Sequence, residues 1–100
     1  MKEKKILKCV TLRDYLVANN NGLTVLLNCG ALDGVLLDET IICVHQKQED
    51  WWCDIFLEYT LSCNDLANIT AAFAGYWWCV SPCYSHYGYR LSINLKGMLL

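Results

Sequence analysis

A single proline, Pro82, and six glycines are all that punctuate these 100 residues, and no stretch is rich in proline, glycine or serine. That excludes a linker or low-complexity segment, and a chain this short builds one core rather than two. Charge is also scarce, at 18% of residues against about 25% in an ordinary domain. With 55% of residues apolar, so small a domain cannot hide all its apolar side chains, and part of them is expected in an interface. The simplest such interface is that of a twofold homodimer. No apolar run is long enough to cross a bilayer: the longest, GLTVLLNCGALDGVLL (22–37), carries Asn28 and Asp33. Lys8, Arg13 and Asp14 interrupt any signal-peptide core near the N-terminus, so a soluble, cytoplasmic protein is expected.

Cysteine is the residue not in short supply. There are seven, an odd number, scattered at 9, 29, 43, 53, 63, 79 and 83. A secreted disulfide scaffold is normally even in cysteine and rich in loops. Most of these instead sit in apolar runs such as IICVH and DIFLEYTLSC, where a reduced cysteine packs as a small hydrophobe. Free thiols in a reducing compartment are the expectation.

The local patterns alternate helix and strand. Thr11 caps a predicted helix over 12–19, which NNNG (19–22) stops. LTVLLN (23–28) reads as a strand, CGALDG (29–34) as a turn, VLL (35–37) as a short strand and TIICVH (40–45) as a central strand. In WWCDIFLEYTLSC (51–63) every odd position is apolar, a period of two that favours a strand to about residue 60. A helix is the alternative, because 54, 58, 62 and 65 also form a polar stripe. Either way Asp54 and Glu58 share a face. As a strand the segment pairs with 40–45 across QKQED.

SCNDLANITAAFAG (62–75) predicts a helix capped by Ser62 or Asn64 and ended by Gly75, with Leu66, Ile69, Thr70 and Phe73 toward the core. YWWCV (76–80) reads as a buried strand, SPCYSH (81–86) as a loop, and YGYRLSINLK (87–96) as a strictly alternating strand. The Lys2, Lys4, Lys5 and Lys8 cluster is expected at an exposed edge. Together these elements predict an α+β fold: one small domain, a largely antiparallel sheet of about five strands, and two helices packed on one face.

Chemistry has few places to reside. YWWCVSPCYSHYGY (76–89) contains Cys79, Cys83 and His86 at C-x3-C-x2-H spacing, ligand types that suit zinc, with Cys53 or Cys43 as a conceivable fourth. Zinc ribbons pair two tight knuckles, and one loose knuckle is more ordinarily a core cysteine followed by a loop. No metal or other cofactor is therefore expected. His45 and His86 are the only imidazoles that could serve a nucleophilic cysteine, and no strand–turn–helix elbow presents one. The carboxylate pairs Asp54/Glu58 and Asp38/Glu39 fit a solvated face better than glycoside chemistry. No glycine loop is followed by a phosphate-binding lysine. A non-enzymatic role is expected.

Charge and aromatic residues carry more information. Residues 31–70 hold eight acids and one base, Lys47, so direct nucleic-acid binding is not expected and a basic protein surface is the favoured partner. Trp51, Trp77 and Trp78 are assigned to the core. Trp52, Phe56, Tyr84 and Tyr87 are assigned to the surface, because they fall on polar-interleaved faces or loops. The candidate partner-binding set is accordingly Trp52, Asp54, Phe56, Glu58, Glu49, Asp50, Tyr84 and Tyr87. An inhibitor or adaptor fits this description, and a phage or mobile-element anti-defence protein such as a CRISPR inhibitor is its extreme form by analogy of size and charge. Two alternatives remain: a small-molecule or nucleotide-binding oligomer with a Trp/Tyr-lined pocket, and a zinc-stabilised module.

Overall fold

The computed structural model describes residues 8–83 and 88–98. It shows a single α+β domain built on a five-stranded, wholly antiparallel sheet. The strands are β1 (Lys8–Thr11), β2 (Ile41–Lys47), β3 (Asp50–Leu57), β4 (Trp78–Pro82) and β5 (Tyr89–Asn94), in spatial order β1-β2-β3-β5-β4. Three helices accompany them: α1 (Leu12–Ala18), α2 (Gly22–Leu27) and α3 (Cys63–Ala72). Because β5 lies between β3 and β4, the β3–α3–β4 connection joins two parallel strands around an inserted third, a split βαβ unit.

The helix ends follow local chemistry. The Thr11 hydroxyl accepts from the Asp14 N–H at 3.1 Å and starts α1. Ser62 and Asp65 form a reciprocal capping box on α3. The segment expected as a strand over 23–28 is instead α2. Asn21 accepts from the Thr24 N–H while the Thr24 hydroxyl pairs with the Asn21 N–H, again a capping box. Leu23 and Leu27 then point the same way, one turn apart, into the core. Residues 35–37 form no sheet strand; Leu36 makes only an isolated bridge to Asp33. β1, which the sequence did not announce, is an edge strand beside β2.

The strand signals of alternating polarity hold. In β3, Cys53, Ile55 and Leu57 are fully buried, and in β5 Leu91 and Ile93 are their registered neighbours. These residues, with Ile42 of β2, meet Leu23, Leu27, Leu32, Val35, Ile69 and Phe73 from the helical side in one core. All helices therefore cover one face of the sheet. Ile69 of α3 and Phe73 at its C-cap are buried in that core with Ala72 packed against it, whereas Leu66 and Thr70 are exposed.

Two corrections concern cysteine and tryptophan. Cys9 and Cys43 face each other across β1 and β2 and are joined in a disulfide, so the expectation of seven free thiols fails for this pair. Cys29, Cys53, Cys63 and Cys79 are free thiols, and Cys83 is not part of that bridge. Trp77, assigned to the core, is 61% exposed. The reason is the strand period: Trp78 turns inward to pack edge-to-face on Phe73 at 6.1 Å, which forces its neighbour outward. β4 is an edge strand rather than a buried one.

Candidate binding face

Among the described residues no helix lies on the other side of the sheet, and the pairing register fixes what that open face presents. Its central row runs from Cys43 to Asp54 to Ser92 to Cys79. One flanking row holds His45, Trp52 and Asn94, and the Asn94 N–H donates to the Trp77 carbonyl at 2.9 Å. The other flanking row holds Ile41, Phe56, Arg90 and Ser81. Trp52 and Trp77 meet edge-to-face across this surface, with ring centroids 5.6 Å apart and planes at 87°. Ile41 and Trp77 are its exposed large apolar side chains, with Trp52 and Phe56 half-buried between them.

Asp54 sits at the centre and is occupied. His45 Nε2 lies 3.0 Å from one carboxylate oxygen, and the Ser92 hydroxyl donates to the other at 2.7 Å. Both partners converge on the carboxylate, so Ser92 is not poised against the imidazole as a nucleophile would be against its base. Cys43, next in the row, is locked in the disulfide and offers no thiolate. The arrangement is a satisfied polar brace for three strands. It also tempers the acidic character expected of this face, because the Asp54 charge is engaged within it and Arg90 stands nearby. Further carboxylates stand at the rim: Glu49 in the β2–β3 turn, Glu58 just past β3, and Asp50, which accepts from the Asn94 amide at 3.3 Å.

Of the candidate set, the structure therefore brings Trp52, Asp54 and Phe56 onto one open face, with Glu49, Asp50 and Glu58 around it. Tyr84 and Tyr87 lie outside the described residues, as does His86. Sequence reasoning missed Trp77, His45, Ser92 and Arg90. The alternation that placed Leu91 and Ile93 inward already placed Arg90 and Ser92 outward, and the paired WWC segments required one tryptophan of each pair to face out.

Cys79 is exposed on the open face, whereas Cys53 is fully buried on the opposite one. Burial, then the neighbouring Asp54 charge, pushes the Cys53 thiol far above its ordinary range. With Cys43 oxidised, neither suggested fourth ligand can join Cys79 and Cys83. Among the described residues no group of three or more His, Cys, Asp or Glu is placed to hold a metal ion. Tyr59 donates to the Val35 carbonyl at 2.7 Å, and burial, then Asp65, raises its phenol. Among the described residues no helix is long and apolar enough to cross a membrane.

No protein-family model, curated protein or solved structure matches this chain.

Proposed function

We propose that this protein acts without catalysis, as an inhibitor or adaptor that binds another protein through the open face of its sheet. The observation that carries the reading is the aromatic pair on that face: Trp52 braced edge-on by Trp77, the latter 61% exposed at the sheet edge. A large rigid aromatic held on a β-scaffold is the residue type that dominates interface energetics, since it buries area with little ordering cost. The hydrogen-bonded Asp54 brace keeps the surrounding polar groups satisfied once water leaves. The chain holds ten acids and eight bases, and the rim carboxylates Glu49, Asp50 and Glu58 suit a partner with a basic surface.

The test is capture from cell extract by three forms of the protein: unaltered, Trp77→Ser, and the pair Glu49→Gln with Glu58→Gln. Trp77 is mostly solvent-facing, so its loss removes one aromatic contact, about 0.5–1.5 kcal/mol, and leaves the fold intact. A partner held by the unaltered form should be lost by Trp77→Ser, and should associate more slowly with the double variant at low salt. A partner retained equally by all three would overturn the proposal.

A further inference from the structure

On the opposite, helix-bearing side the cover is incomplete. A cleft of about 950 Å³ opens where α1, the β2–β3 hairpin and the turn after β5 diverge. Val10, Val44, Leu95 and Met98 are its apolar walls, and Trp51 and Tyr15 supply aromatic faces. All but Met98 lie on the helix-bearing side of the sheet or on α1, and the cleft meets the rim of the Trp52–Trp77 surface at Glu49 and Asp50. Its size falls in the range of small-molecule pockets, about 300–1,000 Å³, and it joins apolar and aromatic walls to polar and charged groups at its mouth.

The charges at its mouth are unequal. Asp14, Glu49 and Asp50 face a single base, Lys96. Asp14 uses its backbone N–H, not its carboxylate, in the α1 cap, and Glu49 is exposed at the tip of the turn. Among the described residues neither of these two carboxylates is in an ion pair. Tyr15 is held in place by the Asn21 amide, which donates to its hydroxyl at 3.2 Å. The arrangement joins an aromatic, apolar floor to a rim that carries more acid than base. An apolar or anionic ligand would use one of these features and waste or oppose the other, whereas an aromatic ammonium uses both.

We infer that this cleft is a binding site for a small organic cation with an aromatic or aliphatic body, whose apolar part lies against Trp51 and whose ammonium meets Asp14 and Glu49. Its apolar walls lie apart from the open face, and the two share the rim carboxylates Glu49 and Asp50.

Tryptamine and indole-3-acetate make the test, because they share a ring and differ in the sign of their charge. Each is titrated into the whole 15N-labelled protein at neutral pH and low salt. Tryptamine should shift amides of α1, the β2–β3 turn and residues 95–98, and should bind about ten-fold more tightly than indole-3-acetate. The double variant Asp14→Asn with Glu49→Gln keeps both side-chain shapes, and should lose most of that ten-fold margin, as expected for two exposed charge contacts. Its spectrum without ligand checks that it is folded. Equal affinity for the two ligands, an unchanged preference in the variant, shifts confined to the Trp52–Trp77 face, or no shifts at millimolar tryptamine would each overturn the inference.

Discussion

The β2–β3 hairpin carries the sharpest conflict between local preference and structure. Its loop is two residues long, and both residues have positive φ: 53° at Gln48 and 73° at Glu49. Positive φ at both central positions marks the turn type whose twist matches the flanking strands, and Asn-Gly is its usual sequence. A non-glycine residue in the left-handed region pays roughly 1–2 kcal/mol for the crowding of Cβ against the following carbonyl. Glycine escapes this but gives back about 0.5–1 kcal/mol in lost chain entropy, so Glu49→Gly should gain about 0.5–1 kcal/mol net. Gln48→Asn adds a few tenths, since asparagine tolerates this region better than glutamine.

The double variant should therefore be about 1 kcal/mol more stable, a rise of roughly 4–8 °C in Tm for a domain of this size. Urea unfolding followed by tryptophan fluorescence without reductant should show a higher midpoint at an unchanged m-value. A midpoint that stays or falls, with m unchanged, would refute the strain assignment. The same substitution removes a rim carboxylate from the cleft. Greater stability together with weaker tryptamine binding would mark the turn as a place where a site overrides local preference.

Three further outcomes follow from the cysteines and their surroundings. The Cys9–Cys43 bridge spans 34 residues of sequence, so by the chain-entropy account its reduction should cost about 3–4 kcal/mol; urea curves with and without reductant that coincide would contradict the pairing. Iodoacetamide should label the exposed Cys63 and Cys79 first and reach Cys53 only on unfolding, as read by peptide mass mapping. Labelling of Cys53 as fast as Cys79 would contradict its burial. Stability should also fall at alkaline pH. Both Cys53 and Tyr59 are neutral in folded and unfolded chains below about pH 7.5. Above it the unfolded chain releases a Cys53 proton that the folded one keeps, at a cost approaching 1.4 kcal/mol per pH unit. Cys53→Ala should flatten that slope; an unchanged slope would remove Cys53 as its source.

What the sequence disclosed depended on whether the signal was local. Strict alternation revealed β5 and β3, and with them the inward set Cys53, Ile55, Leu57, Leu91 and Ile93, because a half-buried strand has only two faces to fill. The α1 and α3 caps were legible for the same reason: a side chain and an N–H three residues on decide the matter between themselves. α2 was missed although its signal was also local. Leu, Thr, Val and Leu in a row suggest β-structure, but Asn21 followed by Thr24 at the third helical position forms a capping box, and Leu23 and Leu27 are buried one turn apart while Val25 is exposed. β1 had no comparable signal. Its four residues show no pattern of their own and are strand because β2 offers them a ladder and Cys43 offers Cys9 a bond.

The candidate sites separate along the same line. Trp52, Asp54 and Phe56 could be placed on one face from their spacing, since that is a property of a single strand. Which residues stand beside them is a property of strand order. Inserting β5 between β3 and β4 sets Asn94 between Trp52 and the backbone of Trp77, and Ser92 between Asp54 and Cys79. Had β4 paired directly with β3, Asp54 would have faced the edge strand instead of the Ser92 hydroxyl, and its carboxylate would stand half-satisfied on the face. The open surface is thus a product of the split crossover more than of any motif, and the cleft, drawn from α1, β1, the hairpin and the turn after β5, is still more so. Substitutions that disturb the β3–β5 register should therefore damage the open face and the fold together, because a one-residue slip takes Ser92 away from Asp54 and turns Leu91 and Ile93 out of the core.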